Sequence, residues 1–154
     1  MTITILLLIA LALFFDFLNG FHDSANSIAT IVSTRVLRPS QAVVWAAFFN
    51  FIAFLFFGLH VADTIGKGII HPDAVDIPVV ISAIVGASAW DLITWWGGIP
   101  SSSSHALIGG LVGAGVTKIG TSILDLRGLT KVAVSIVASP LLGLALGFSC
   151  MVAV

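Results

Sequence analysis

Residues 3–30 read ITILLLIALALFFDFLNGFHDSANSIAT, an apolar run that passes into His, Asp, Ser, Asn and Thr with no loop signal between them. In a soluble protein that change would mark a surface in water. Here the surrounding solvent is different. The chain is 58% hydrophobic and 8% charged, with a mean hydropathy of +1.17, far above a soluble domain. Glu is absent, and the Lys, Arg and Asp residues fall mostly in short clusters between apolar stretches, as a bilayer demands. At about 20 residues per span, 154 residues hold about four or five crossings and hardly any extramembrane domain. The expected fold is an all-α integral membrane protein, with residues 1–154 as a single membrane domain.

Composition also removes several function classes. A net charge of −1 argues against a nucleic-acid partner. The lone Cys150 provides neither a disulfide nor a cysteine metal site. Ala10-Leu11-Ala12 mimics a signal-peptide cleavage site, but no basic region precedes it and the apolar run continues beyond it. An uncleaved first helix is therefore expected.

The first segment, about residues 2–34, is too long for one plain span and is expected to be tilted or broken, with Gly20 easing local unwinding. Arg35, Arg38 and Pro39 end it. A second segment, about 40–61, is rich in Phe and Trp and carries Asn50 and His60. A loop with Asp63, Lys67, His71, Asp73 and Asp76 leads to a third segment, about 77–96, which contains Asp91 and ends on Trp95-Trp96. After the stretch GGIPSSSSHALIGGLVGAG (97–115) and a loop from Lys118 to Lys131, a last segment runs from about 132 to 154. The Arg35–Arg38 loop has no acid and belongs in the cytoplasm, which puts the N-terminus outside and the Asp73 loop outside. The Lys118–Lys131 loop, with three basic residues and one acid, also favours the inside. Residues 97–115 would then dip in and return to one side. The rival is a plain fourth span with that loop outside.

On a helix, Asp16, Asn19, Asp23, Asn26, Thr30, Ser33 and Thr34 fall within an arc of about 100°. A charge at membrane depth is costly unless paired or facing a cavity, so the stripe marks a bundle interior. Its oxygen and amide ligands suit a hard cation such as Na⁺, or a protonatable carboxylate, and not zinc or copper. Asp23 and Asn26, one turn apart, are the functional candidates, with Asn19 and Thr30 beside them for cation coupling. No other metal site is expected beyond Na⁺ at Asp23 and Asn26. Ser33 and Thr34 read as interhelical hydrogen-bonding groups, and His22, at the stripe's edge, as a hydrogen-bonded side chain in preference to a proton relay.

The second motif is Pro100-Ser101-Ser102-Ser103-Ser104-His105, followed at once by ALIGGLVGAG. Pro and Ser favour a helix start, and the first N–H groups of a helix, with its positive dipole end, bind anions. A re-entrant half-helix with four hydroxyls at its tip is thus a candidate anion site. The competing reading is a capped surface loop. Gly109 and Gly113 have the GxxxG spacing of close helix packing. Ser104 and His105 are adjacent, about 100° apart on a helix, which makes a poor nucleophile–base pair. No GxSxG elbow is present, so an enzyme is not expected.

NGFHDSANSIAT and GIPSSSSHALIGGLVGAG, in this order, resemble the inorganic phosphate transporter (PiT) family, closest to bacterial low-affinity phosphate permeases. VVWAAFFNFIAFLFFG and IVASPLLGL extend the likeness along nearly the whole chain. The resemblance implies symport of inorganic phosphate with Na⁺ or H⁺, as the free anion or a metal–phosphate complex, at the plasma (inner) membrane. It assigns the site to Asp23, Asn26, Ser101, Ser102, Ser103, Ser104 and His105, with no cofactor beyond the coupling ion. Many relatives carry Asn where this chain has His22, which leaves the ion open. Family members also carry a second, inverted copy of this unit, and no second Asp-and-Asn motif follows here. The chain reads as an N-terminal half, truncated or split, that works with a second half-chain or as a homo-oligomer. Sulfate or another oxyanion is the alternative substrate, since hydroxyl and N–H donors alone do not separate tetrahedral anions. A non-transporting half is the alternative of a different class.

Overall fold

The structure is a computed structural model that describes residues 2–57 and 68–153. His60, Asp63 and Lys67 lie outside the described residues. The apolar opening winds into one helix, α1 (Thr2–Ser33), 32 residues and about 48 Å long against a hydrocarbon core of about 30 Å. The break expected at Gly20 is absent. A glycine inside a helix costs about 1 kcal/mol, less than stranding backbone groups in hydrocarbon. Termination comes instead at Arg35, whose φ of 59° is left-handed. Its N–H donates to the Val32 carbonyl and that of Val36 to the Ile31 carbonyl, the paired bonds of a Schellman closure. Pro39 then starts α2 (Pro39–Phe57), where its missing N–H costs nothing.

After a short 3₁₀ turn (Pro72–Ala74) comes α3 (Ile77–Trp96), capped by Asp76, whose carboxylate accepts from the Val79 N–H at 3.1 Å. A six-residue connection carrying the first serines leads to α4 (Ser103–Ile119), and a second 3₁₀ turn (Thr121–Ile123) to α5 (Leu126–Ala153). Asp125 caps α5, accepting from the Arg127 N–H at 2.8 Å. Among the described residues, α1, α3 and α5 are long and apolar enough to cross a membrane. The architecture is all-helical.

α3 and α4 form an antiparallel hairpin whose tip is the serine turn. Its two base ends are clasped: Lys118 Nζ lies 2.7 Å from Asp76 Oδ2, Ile70 bridges Leu124, and the His71 N–H donates to the Ile123 carbonyl at 2.9 Å. Lys118 beside the Asp76 carboxyl, with the Val79 N–H, holds that carboxyl below its ordinary range. Ile69, Ile70, Ala74, Val79, Ala83, Leu111 and Ile123 make the apolar core at this base. The clasp corrects the expected topology. The Asp73 loop and the Lys118–Lys131 loop sit at the same end, not on opposite faces, because α4 runs the whole way back along α3. Their charges balance there, with Lys118, Arg127 and Lys131 against Asp73, Asp76 and Asp125.

The close approach within the hairpin also differs from the expected GxxxG pair. Around Gly109 and Gly113 there is open space. Gly110 faces α3, where a Cβ would stand 2.4 Å from the Ala83 carbonyl oxygen. Spacing alone does not say which face of α4 meets α3, and Gly110 is one position off the motif.

α1 lies alongside α3 in the same direction. Phe15 packs with Ile84 and Ala87, and one stretch further along both helices His22 Nε2 is 3.4 Å from Thr94 Oγ1 and the Phe21 ring 5.3 Å from Trp95. None of the residues in the apolar window of α5 is buried.

Candidate substrate and ion site

The polar half of α1 does not close into a bundle interior within this chain. Asp23 is half-buried and lines a groove of about 580 Å³ between α1 and α2 with Asn19, Ser24, Ser27 and, from α2, Asn50. Asp16, Asn26 and Thr30 are exposed. Ser33 and Thr34, expected to bond a neighbouring helix, instead donate to their own helix at the Thr30 carbonyl, at 3.0 and 2.7 Å. Their hydroxyls reach back one turn, which satisfies them without a partner. His22 behaves as read: its Nε2 meets Thr94, and its Nδ1 lies 3.6 Å from Asp23 Oδ1.

At the hairpin tip each serine has a distinct environment. Ser101 Oγ accepts from Trp90 Nε1 at 3.1 Å. Ser102 is the N-cap of α4, its Oγ accepting from the His105 N–H at 3.4 Å. Ser103 is 1% exposed, and its Oγ has no hydrogen-bond partner. Ser104 and His105 are exposed. Ser101 and His105 line a groove of about 400 Å³ with Gly86, Trp90, Gly109 and Gly110. The first N–H groups of α4 have no intrahelical acceptor and open at this tip. Asp23 and the serine turn therefore line separate grooves, joined through the contact of His22 with Thr94 near the end of α3.

Asp91 is the residue that sequence reading passed over as a site member. It is 2% exposed, and its carboxylate lies within electrostatic reach of His22 and Asp23. The signal was available: a lone carboxylate in an apolar segment is a functional candidate by default. Among the described residues, no group of three or more His, Cys, Asp or Glu side chains is arranged to hold a metal ion.

The comparison that decides the family covers both motifs: residues 19–154 match the phosphate transporter family. The chain belongs to that family. A probable low-affinity inorganic phosphate transporter of Rhizobium meliloti is 68% identical over 90% of this chain and 42% of its own length. One of Bacillus subtilis is 46% identical over 95% of this chain and 44% of its own. Among solved structures, "The sodium-dependent phosphate transporter" superposes with a TM-score of 0.82 at 36% identity, over 93% of this chain and 36% of that one. The chain thus spans less than half the length of these phosphate transporter relatives. Their names are those of transporters, not enzymes.

Proposed function

We propose that this chain forms one half of a secondary transporter that carries inorganic phosphate across the plasma membrane with Na⁺ or H⁺. The observation that carries the reading is the serine-tipped hairpin seated beside the carboxylate-bearing turn of α1. The hydroxyls of Ser101–Ser104 and the first N–H groups of α4 stand at the tip, and His22, the neighbour of Asp23, meets Thr94 near the end of α3. No Lys or Arg lies in either motif. An anion bound near Asp23 therefore needs a positive charge that travels with it, and that need is the coupling. Asn19, Asn26 and Thr30 supply neutral oxygens and amides on the same side of α1. The names of the relatives support phosphate over sulfate, and the sodium dependence in the solved relative's name supports Na⁺. The open faces of α1 and α5 fit a second repeat, from another chain or from a further segment, that completes the site.

Charge supports the orientation. Arg35 and Arg38 stand without an acid at one end of α1, while the hairpin base at the other end is balanced, so the arginine end belongs in the cytoplasm and the N-terminus outside. The functional test is radiolabelled phosphate uptake into proteoliposomes by the assembled transporter. Asp23→Asn is expected to abolish gradient-dependent uptake while leaving insertion intact. Uptake with an unchanged dependence on the ion gradient would make Asp23 a structural residue.

A further inference from the structure

The far end of α1 holds a groove that transport does not use. It lies between the last turn of α1, the Arg35 turn and the first two turns of α2, with a volume of about 710 Å³. Val36, Leu37, Val44 and Trp45 make its lining mostly apolar, and Ser40 and Gln41 add two polar side chains. Val36, Val44 and Trp45 are exposed. Arg35 and Arg38 flank Val36 and Leu37 in the same turn, and both are exposed. No acid occurs between Asp23 and Asp63, and among the described residues neither guanidinium has a carboxylate partner. The turn is held without a ligand. Arg35 is left-handed and closes α1, and the Arg38 N–H donates to Gln41 Oε1 at 3.2 Å. It stands where the chain leaves the bilayer after α1 and re-enters it with α2. Trp45 follows about 9 Å along α2 from Pro39, a depth at which aromatic rings anchor to the headgroup boundary.

We propose that this groove binds one anionic phospholipid, its phosphodiester paired with Arg35 and Arg38 and the start of an acyl chain lying along Val36, Leu37, Val44 and Trp45. Charge complementarity selects the occupant. Guanidinium groups match phosphate oxygens with paired donors, and basic pockets between membrane helices on the cytoplasmic side take anionic headgroups. A zwitterionic lipid brings its own ammonium, which opposes the two arginines. A free inorganic anion satisfies the arginines and leaves the apolar lining uncovered. An anionic lipid meets both needs, and the Ser40 hydroxyl and the Gln41 amide NH₂ offer donors to its glycerol oxygens. The next groove along has walls from the same two helices, with Asp23 on α1 and Asn50 on α2. A lipid wedged at the root of both helices therefore holds the spacing of that groove. This last role, and the choice of the cytoplasmic leaflet, rest on the transporter reading and its orientation; the binding itself does not.

The test is native mass spectrometry of the purified chain released from detergent micelles and titrated with dioleoylphosphatidylglycerol or dioleoylphosphatidylcholine. The expected result is a single tightly held phosphatidylglycerol, with no such adduct from phosphatidylcholine. Arg35→Gln and Arg38→Gln are each expected to weaken it about fivefold. Val44→Trp, which fills the groove and leaves both arginines in place, is expected to weaken it too. All three positions are exposed, so the variants are expected to fold. Arg127→Gln and Lys131→Gln, at the other end of the molecule, are expected to leave the adduct unchanged. Equal loss in these two controls would reduce the effect to general surface charge and overturn the site, as would equal binding of the two lipids. Glycerol phosphate and inorganic phosphate separate a lipid from a free anion. Arginine-dependent binding of either at the lipid's affinity overturns the proposal. So does a lipid-free dimer that Val44→Trp dissociates, which makes the groove an interface between copies. Loss of the lipid on assembly with the second repeat gives the groove to that repeat and overturns the proposal as well. Failed phosphate uptake with the lipid adduct intact would sink the transporter reading and leave this site standing.

Discussion

Ser102 and Ser104 are two residues apart and do different things. Ser102 caps α4 through its hydroxyl, while Ser104 is exposed on the first turn with no such duty. Ser102→Ala is expected to cost about 1 kcal/mol of stability, the usual loss of an N-cap. Ser104→Ala is expected to leave the unfolding temperature alone and to weaken phosphate binding roughly tenfold, since a hydrogen bond to a charged group contributes about 1.5–3 kcal/mol. Backbone N–H donors survive both changes, so binding weakens without vanishing. Thermal unfolding and radiolabelled phosphate binding, with the second repeat present, separate the two effects. Affinity within twofold of the parent for every serine variant would leave the turn as a cap, and the anion site would have to lie elsewhere.

At the scale of elements, the hairpin depends on one backbone approach. A methyl group at Gly110 would collide with the Ala83 carbonyl, which is backbone and cannot rotate away. Gly110→Ala is therefore expected to force α3 and α4 apart and to destabilise the chain by about 1–3 kcal/mol. Gly109→Ala and Gly113→Ala enter open space and are expected to be neutral or to stabilise by up to about 1 kcal/mol. Denaturant unfolding of the three variants decides it, and equal losses at all three would place the helix contact on the GxxxG face. The start of α4 was legible because Pro and Ser carry local capping preferences. The contact face was not, because the sequence is rich in small residues all round: Gly109, Gly110, Gly113, Ala114 and Gly115 offer several equivalent seams.

At the scale of the molecule, the clasp at the hairpin base converts a topology question into a sidedness measurement. With the exposed Cys150 replaced, single cysteines at Ser40, Asp73 and Ser122 report the two ends. Ser40 is expected to be labelled only from the cytoplasm, and Asp73 and Ser122 only from outside. Labelling of Asp73 and Ser122 from opposite sides would break the hairpin arrangement. Reversal of all three would overturn the orientation and leave the site untouched.

The sequence by itself determined the solvent, the helical class and the two polar motifs. Hydropathy, caps and helical periodicity are properties of neighbouring residues, and they survive without knowledge of the fold. It also placed Asp23 and Asn26 on one side of α1 and the serines at the start of α4. The tertiary structure alone decided what those residues meet. It kept α1 continuous through Gly20, brought the Asp73 and Lys118–Lys131 loops to one end, and put His22 against Thr94. It also showed Asp91 buried beside Ser103, twelve residues away along the chain but adjacent across the hairpin. Burial and partnership depend on how helices pack. A carboxylate in an apolar segment looks alike in sequence whether it faces water, a neighbour or nothing, and only the fold tells these apart.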